Sequence, residues 1–171
     1  AQANLMKCYY ETKDYTNSVV YADKVLANPK AEENVKSDAE IIIARSAIKS
    51  GDETKAKIAY AKLLSVSKGE LAAEALYYDA YFKNKDGKFE ISNTAIQKLA
   101  KNYSSYRYFG SKGLILMAKN YYGLKDSYQA TYVLENVIAN FTDYSDVVEE
   151  AKAELSRIKT EEAKTNSSIS K

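Results

Sequence analysis

The sequence predicts an all-α chain built from repeated helix pairs, and three observations carry that expectation. Its 171 residues include one Pro and six Gly, too few for the many tight turns an all-β fold needs. Small and apolar residues recur at helical spacing along most of the chain. The amphipathic segments also repeat. Aligning Ser18, Ala56, Ser92 and Ala130 gives intervals of 38, 36 and 38, and Leu26, Leu64, Ala100 and Ile138 give the same three.

The first repeat covers approximately 1–30, with Leu5, Met6 and Tyr9 in one helix, a turn at Lys13-Asp14-Tyr15, and Ser18, Ala22, Val25 and Leu26 in the next. Because residues 1–12 already read as helix, the chain reads as a fragment. The second repeat, 35–68, places Ile43, Ala44 and Ala47 before a Gly51-Asp52 turn and Ala56, Ala59, Tyr60, Leu63 and Leu64 after it. The third, 70–103, is less regular: Tyr78, Asp79 and Phe82 precede Asp86-Gly87-Lys88-Phe89, and Ser92, Ile96 and Leu99 follow. Asp79 falls where a small residue belongs. Burying a carboxylate is expensive, so a local shift of register is expected there. The fourth repeat, 109–141, has Met117, Ala118 and Tyr121, the turn Lys125-Asp126-Ser127, and Ala130, Leu134, Val137 and Ile138. A last helix over 144–164 is apolar at Val147, Ala151, Leu155 and Ile158, with Asp143 or Ser145 as its N-cap. A stacked array leaves its final face open, so this helix is expected to cap it. Residues 165–171 have loop composition and are expected to form a flexible tail.

The second repeat carries Ile43-Ala44, the Gly51-Asp52 turn, Ala56, Tyr60 and Leu64; the fourth carries Met117-Ala118, Tyr121, Ala130 and Leu134. This pattern resembles the tetratricopeptide repeat family. The resemblance implies one domain over 1–164, a right-handed α-α superhelix (a solenoid) of four helix pairs plus a C-terminal capping helix. It also implies a concave, partner-binding face lined by first helices. The chain departs from the family in having its only closing Pro at Pro29 and in its period, two to four residues longer than 34, which lies between tetratricopeptide and HEAT lengths and leaves other α-solenoids open. The stretch Ser104-Ser-Tyr-Arg-Tyr-Phe-Gly-Ser-Lys-Gly113 is similar to an inter-repeat segment near the C-terminal repeats of large exported tetratricopeptide proteins of Gram-negative bacteria. That similarity implies a periplasmic or outer-membrane-associated setting.

The chemical inventory is thin. With no His, no Trp and one Cys, a Ser-His-Asp triad, a Cys-His pair, a His/Cys zinc site and a haem His are all impossible. Cys8 has no intrachain disulfide partner. Lys and Arg number 25 against 23 Asp and Glu, a net charge of +2 that argues against a nucleic-acid partner. The apolar run Gly113–Ala118 stops at Lys119, far short of the ~20 residues of a membrane span. Gly87-Lys88 lacks the rest of a phosphate loop, and Gly110 and Gly113 follow no strand that would make them a dinucleotide fingerprint. Acidic pairs such as Glu32-Glu33 and Glu149-Glu150 read as helix starts or solvated faces. No enzyme, cofactor or metal site is expected.

The concave face is therefore the expected functional surface. Its lining reads as Lys7 and Tyr10; Ile41, Arg45 and Ile48; Leu76, Ala80 and Lys83; and Ile115, Lys119 and Tyr122. The tyrosine pairs Tyr9-Tyr10, Tyr77-Tyr78 and Tyr121-Tyr122 read as packing residues whose hydroxyls reach a wet edge; a sharper reading divides each pair, with Tyr9 and Tyr121 filling the core while Tyr10 and Tyr122 turn to the groove. Lys7, Arg45 and Lys119 fall at equivalent places, which suits an acidic peptide or protein partner. The alternative is a structural spacer in a larger cell-envelope protein, stacking on neighbouring repeats and self-associating through its N-terminal face. The register makes a direct prediction. Ala56→Leu or Ala130→Leu, placed at helix crossings, should each cost about 1–3 kcal/mol by overpacking, measured by denaturant unfolding. An unshifted midpoint would refute the register.

Overall fold

A computed structural model describes the backbone of residues 1–169 and the side chains of residues 1–165. Among the described residues there are nine helices and no strand: α1 (Gln2–Glu11), α2 (Tyr15–Ala27), α3 (Glu33–Ser50), α4 (Glu53–Val66), α5 (Gly69–Lys85), α6 (Phe89–Asn102), α7 (Arg107–Gly123), α8 (Ser127–Asn140) and α9 (Ser145–Ile169). They form two compact bodies, Ala1–Ser67 and Lys68–Lys171. Within each, consecutive helices pack against one another, which is consistent with an α-solenoid.

Four of the turns between successive helices are built the same way. Lys13, Gly51, Gly87 and Lys125, again separated by 38, 36 and 38 residues, all adopt left-handed backbone, with φ of 63°, 79°, 72° and 68°. The following residue sends its N–H back over the turn: Asp14 to Tyr9 O (2.8 Å), Asp52 to Ala47 O, Lys88 to Lys83 O and Asp126 to Tyr121 O (each 2.9 Å). This six-to-one closure satisfies carbonyls that a helix end otherwise orphans. The same following residue then caps the next helix. Asp14, Asp52 and Asp126 accept from the N–H groups of Asn17, Lys55 and Gln129 at 3.0–3.1 Å, whereas Lys88 supplies no cap. The missing Asp makes the third repeat the faintest in the sequence.

In the first body, Met6 of α1, Ala22 and Val25 of α2, and Ala39, Ile42 and Ile43 of α3 form one core cluster. Ala44, Ala47, Ala56, Tyr60 and Leu63 bury the contact of α3 with α4. In the second body, Ile115 and Ala118 of α7 meet Ala130, Leu134 and Val137 of α8, and Val147, Ala151 and Ile158 of α9 complete that cluster. Gly123 at the end of α7 admits Phe89 of α6: a Cβ there would lie 2.6 Å from its ring.

Both bodies also carry a buried polar ladder at matching offsets. Ser18 Oγ donates to Met6 O (3.0 Å) and Ser92 Oγ to Ala80 O (2.8 Å), each 12 residues back. A first-helix residue 28 positions further on then reaches the Ser: Ser46 Oγ at 3.5 Å from Ser18 Oγ, Asn120 Nδ2 at 2.9 Å from Ser92 Oγ. Asn120, fully buried, donates also to Asn93 Oδ1 (2.8 Å) and accepts from Asn84 Nδ2 (2.7 Å). Its amide is thereby satisfied on both sides, which a buried amide requires.

The irregular third repeat resolves as a one-residue slip. Ala80, fully buried, stands 36 residues after Ala44, while Asp79 beside it remains partly exposed and pairs with Lys83 at 2.6 Å. The last helix begins at Ser145 and runs to Ile169, so residues 165–169 of the expected tail are helical. The stretch contains neither Gly nor Pro to stop the helix. The expectation for residues 170 and 171 lies outside the described residues. The turns generate a prediction: Lys13→Gly and Lys125→Gly should each raise stability by about 0.5–1 kcal/mol, because Gly accepts left-handed backbone without the Cβ clash. Thermal unfolding of each variant checks this, and a lowered midpoint would contradict the strain.

Candidate interaction surface

The first helices of the first body lie side by side, and the sequence positions expected to face a partner meet between them. Lys7 and Tyr10 of α1 and Ile41 and Arg45 of α3 line a shallow groove of about 240 Å³, with Glu11, Asp38 and Ile42. Tyr10 and Ile41 are half-buried; Lys7 and Arg45 are exposed. Lys7 Nζ pairs with Asp38 at 2.6 Å. Ile48, half-buried one turn beyond Arg45, lies outside this lining. Tyr9 is half-buried and stacks on Tyr21 with centroids 5.4 Å apart.

The second body departs from expectation in two ways. Leu76, Ala80 and Ile115 are at most 3% exposed and so offer nothing to a partner. The slip in the third repeat accounts for the first two: 36 residues after Ile41, Arg45 and Ile48 stand Tyr77, Tyr81 and Asn84. Ile115, at the place of Ile41, is closed over in the α7–α8–α9 cluster.

The second departure is electrostatic. Lys119 of α7 pairs with Glu150 of α9 at 2.9 Å, and Lys112 pairs with the same carboxylate. Lys83 is held by Asp79. Tyr122 donates its hydroxyl to Glu161 (3.0 Å), and the Arg157 guanidinium lies 5.1 Å above its ring while bonding Glu154 and Glu161. The basic stripe of this body is thus answered by the chain's own acids. Lys7–Asp38 and Lys119–Glu150 share one offset of 31 residues, a ladder running from one first helix to the next. Sequence reasoning found the lysines and missed their acids, although the common offset is visible in the sequence.

These pairs set the local titration. Burial works against charge on Glu150, but hydrogen bonds from Lys112 and Lys119 outweigh it and hold its carboxyl below the usual range. Glu161 is held low by Arg157 and Tyr122. Desolvation, helped by the hydrogen bond to Asp146 (2.8 Å), pushes the Tyr108 hydroxyl up to about 12, and burial raises Tyr77 further still. Among the described residues no cluster of His, Cys, Asp and Glu is placed to hold a metal, and no helix is long and apolar enough to cross a membrane.

Compared with known proteins, the chain matches no family model and no curated sequence.

Glu150 gives a pH prediction. A carboxyl whose pKa is lowered on folding stabilises the protein above its unfolded value, and that contribution disappears as pH falls through the folded value. Glu150→Gln should therefore flatten the fall of the thermal midpoint in acid while lowering the midpoint near neutrality. A variant with the parent's acid slope would show that Glu150 titrates normally.

Proposed function

We propose that this chain is a non-enzymatic interaction module that binds a peptide or another protein on the face lined by its first helices. In this reading α1/α2, α3/α4, α5/α6 and α7/α8 are four tetratricopeptide-like pairs, capped by α9, and wind into a right-handed superhelix with that face on its concave side. The observation that supports it best is the groove of the first body, where Tyr10 and Ile41 offer apolar surface between the charged heads of Lys7 and Arg45. Aromatic and aliphatic anchors flanked by charge are what a groove needs to take a short peptide. Asp38 and Glu11 offset the two cations, so the matching ligand is an apolar anchor beside one or two acids rather than a strongly acidic run. The absence of His, and of any paired Cys, supports a role without catalysis.

A second reading, a spacer within a larger cell-envelope protein, is favoured by one observation. Lys112 and Lys119 spend their charge on Glu150 of the adjacent helix, as residues devoted to stacking would. The similarity of Ser104–Gly113 to exported repeat proteins supports an envelope setting for either.

Panning a random displayed-peptide library against the full chain separates the two. Enriched peptides should pair an apolar anchor with an acid, and Tyr10→Ala with Arg45→Glu should weaken them at least about tenfold, the scale of losing one interface anchor. Enrichment indifferent to both substitutions would overturn the groove. No enrichment, with self-association through the N-terminal face, would favour the spacer.

A further inference from the structure

The outer face of α9 repeats a surface that elsewhere in this body carries a helix. α9 begins 38 residues after α7, and the same step takes Leu114, Met117, Ala118 and Tyr121 of α7 to Lys152, Leu155, Ser156 and Lys159 of α9. In α7, Leu114, Ala118 and Tyr121 belong to the cluster that receives Ala130, Leu134 and Val137 of α8. In α9 the corresponding residues line an open groove of about 710 Å³ with Ala163. The other side of α9, Val147, Ala151 and Ile158, is fully buried, and among the described residues α9 packs only on α7 and α8.

Two features say what the groove fits. Ser156 stands at the small-residue place of Ala118, so a helix can approach closely there. The residues beside it have changed from Leu and Tyr to Lys, leaving between cations at 152, 159 and 164 a narrow apolar strip made of Ala163 and the exposed edge of Leu155, which packs its other side on the α7–α8–α9 core. Lys159 is engaged with Glu135 at 3.1 Å, but both are more than half exposed, and such a pair is readily exchanged. A second copy of α9 is a poor occupant. Antiparallel pairing about Leu155–Ser156 would set Lys152 against Lys159 twice, like charges that repel.

We propose that this face of α9 docks an amphipathic helix of a partner protein, with a narrow small-residue or Leu stripe flanked by Glu or Asp. The site goes beyond the first-helix groove and does not depend on it.

The test titrates the isotope-labelled full chain with a synthetic helical peptide of about 16 residues, enough for several turns. The peptide carries a Leu/Ala stripe and Glu flanks; a matched peptide carries Lys flanks. The Glu-flanked peptide should shift amide resonances across residues 152–163, and Lys152→Glu with Lys159→Glu should weaken it about tenfold or more, as loss of complementary charge does. Ser156→Trp should block it sterically, and since Ser156 is exposed the variant should keep the parent's melting temperature. Tyr10→Ala with Arg45→Glu should leave this binding intact, so failure here and failure of the first-helix groove are distinguishable. Equal binding of both peptides, shifts confined to other helices, no binding, or a dimer that Ser156→Trp dissociates would each overturn the proposal.

Discussion

Two helices approach to about 8–10 Å only where the side chains at the crossing are small. Here that requirement falls on one position in every second helix. Ser18, Ala56, Ser92 and Ala130 are all completely buried, and the register of each repeat is counted from them. Ala44, Ala80 and Ala118, equally buried, hold the matching place in the first helices of the later three repeats. Around these contacts the larger residues find their partners: Tyr60 and Leu63 in one body, Leu134 and Val137 in the other. The turns are fitted to the same geometry, since a left-handed residue followed by a closing N–H sets the angle at which the second helix returns. Spacing, turn and crossing therefore constrain one another, and a change at any of them is felt at the other two.

This interdependence explains what could be read from the sequence. Helix content, the paired organisation and the positions of the turns follow from local patterns, and those patterns recur, so errors in one copy are corrected by the others. The one slip came in the third repeat, where Lys88 replaces the capping Asp and the interval shortens to 36. The helical spacing there points one residue early, to Leu76 and Ala80 at the surface, whereas both are buried. Likewise, Lys in the left-handed position of two turns hides a feature that Gly51 and Gly87 advertise. α9 runs further than its composition suggests, because Ser, Thr and Asn read as loop yet are only mildly unfavourable in a helix that nothing breaks.

The surface was less legible than the fold, for an electrostatic reason. Lys7, Arg45 and Lys119 look like a basic stripe when each helix is considered alone. What cancels much of it is supplied by other helices, Asp38 and Glu150, and a count of cations along one element does not see them. Lys7, Tyr10, Ile41 and Arg45 nevertheless meet in one groove between α1 and α3, because the repeat spacing brings those residues to one face. Chemistry at a repeat surface thus has to be read between neighbouring elements.

The buried ladder imposes a parity on the chain. Ser46 and Asn120 each meet a second helix whose crossing residue is Ser, whereas the crossing residues of the alternate repeats are Ala. Odd and even repeats are consequently not interchangeable. Excising a single repeat ahead of α7 would bring Asn120 against Ala56 and strand an amide in the interior, a loss of about 1–3 kcal/mol. Excising or inserting two together, 74 residues, would restore Ser opposite its polar neighbour. The unit that keeps a Ser opposite its polar neighbour is the doublet, and its two members are related less as copies than as the two halves of a lock-stitch.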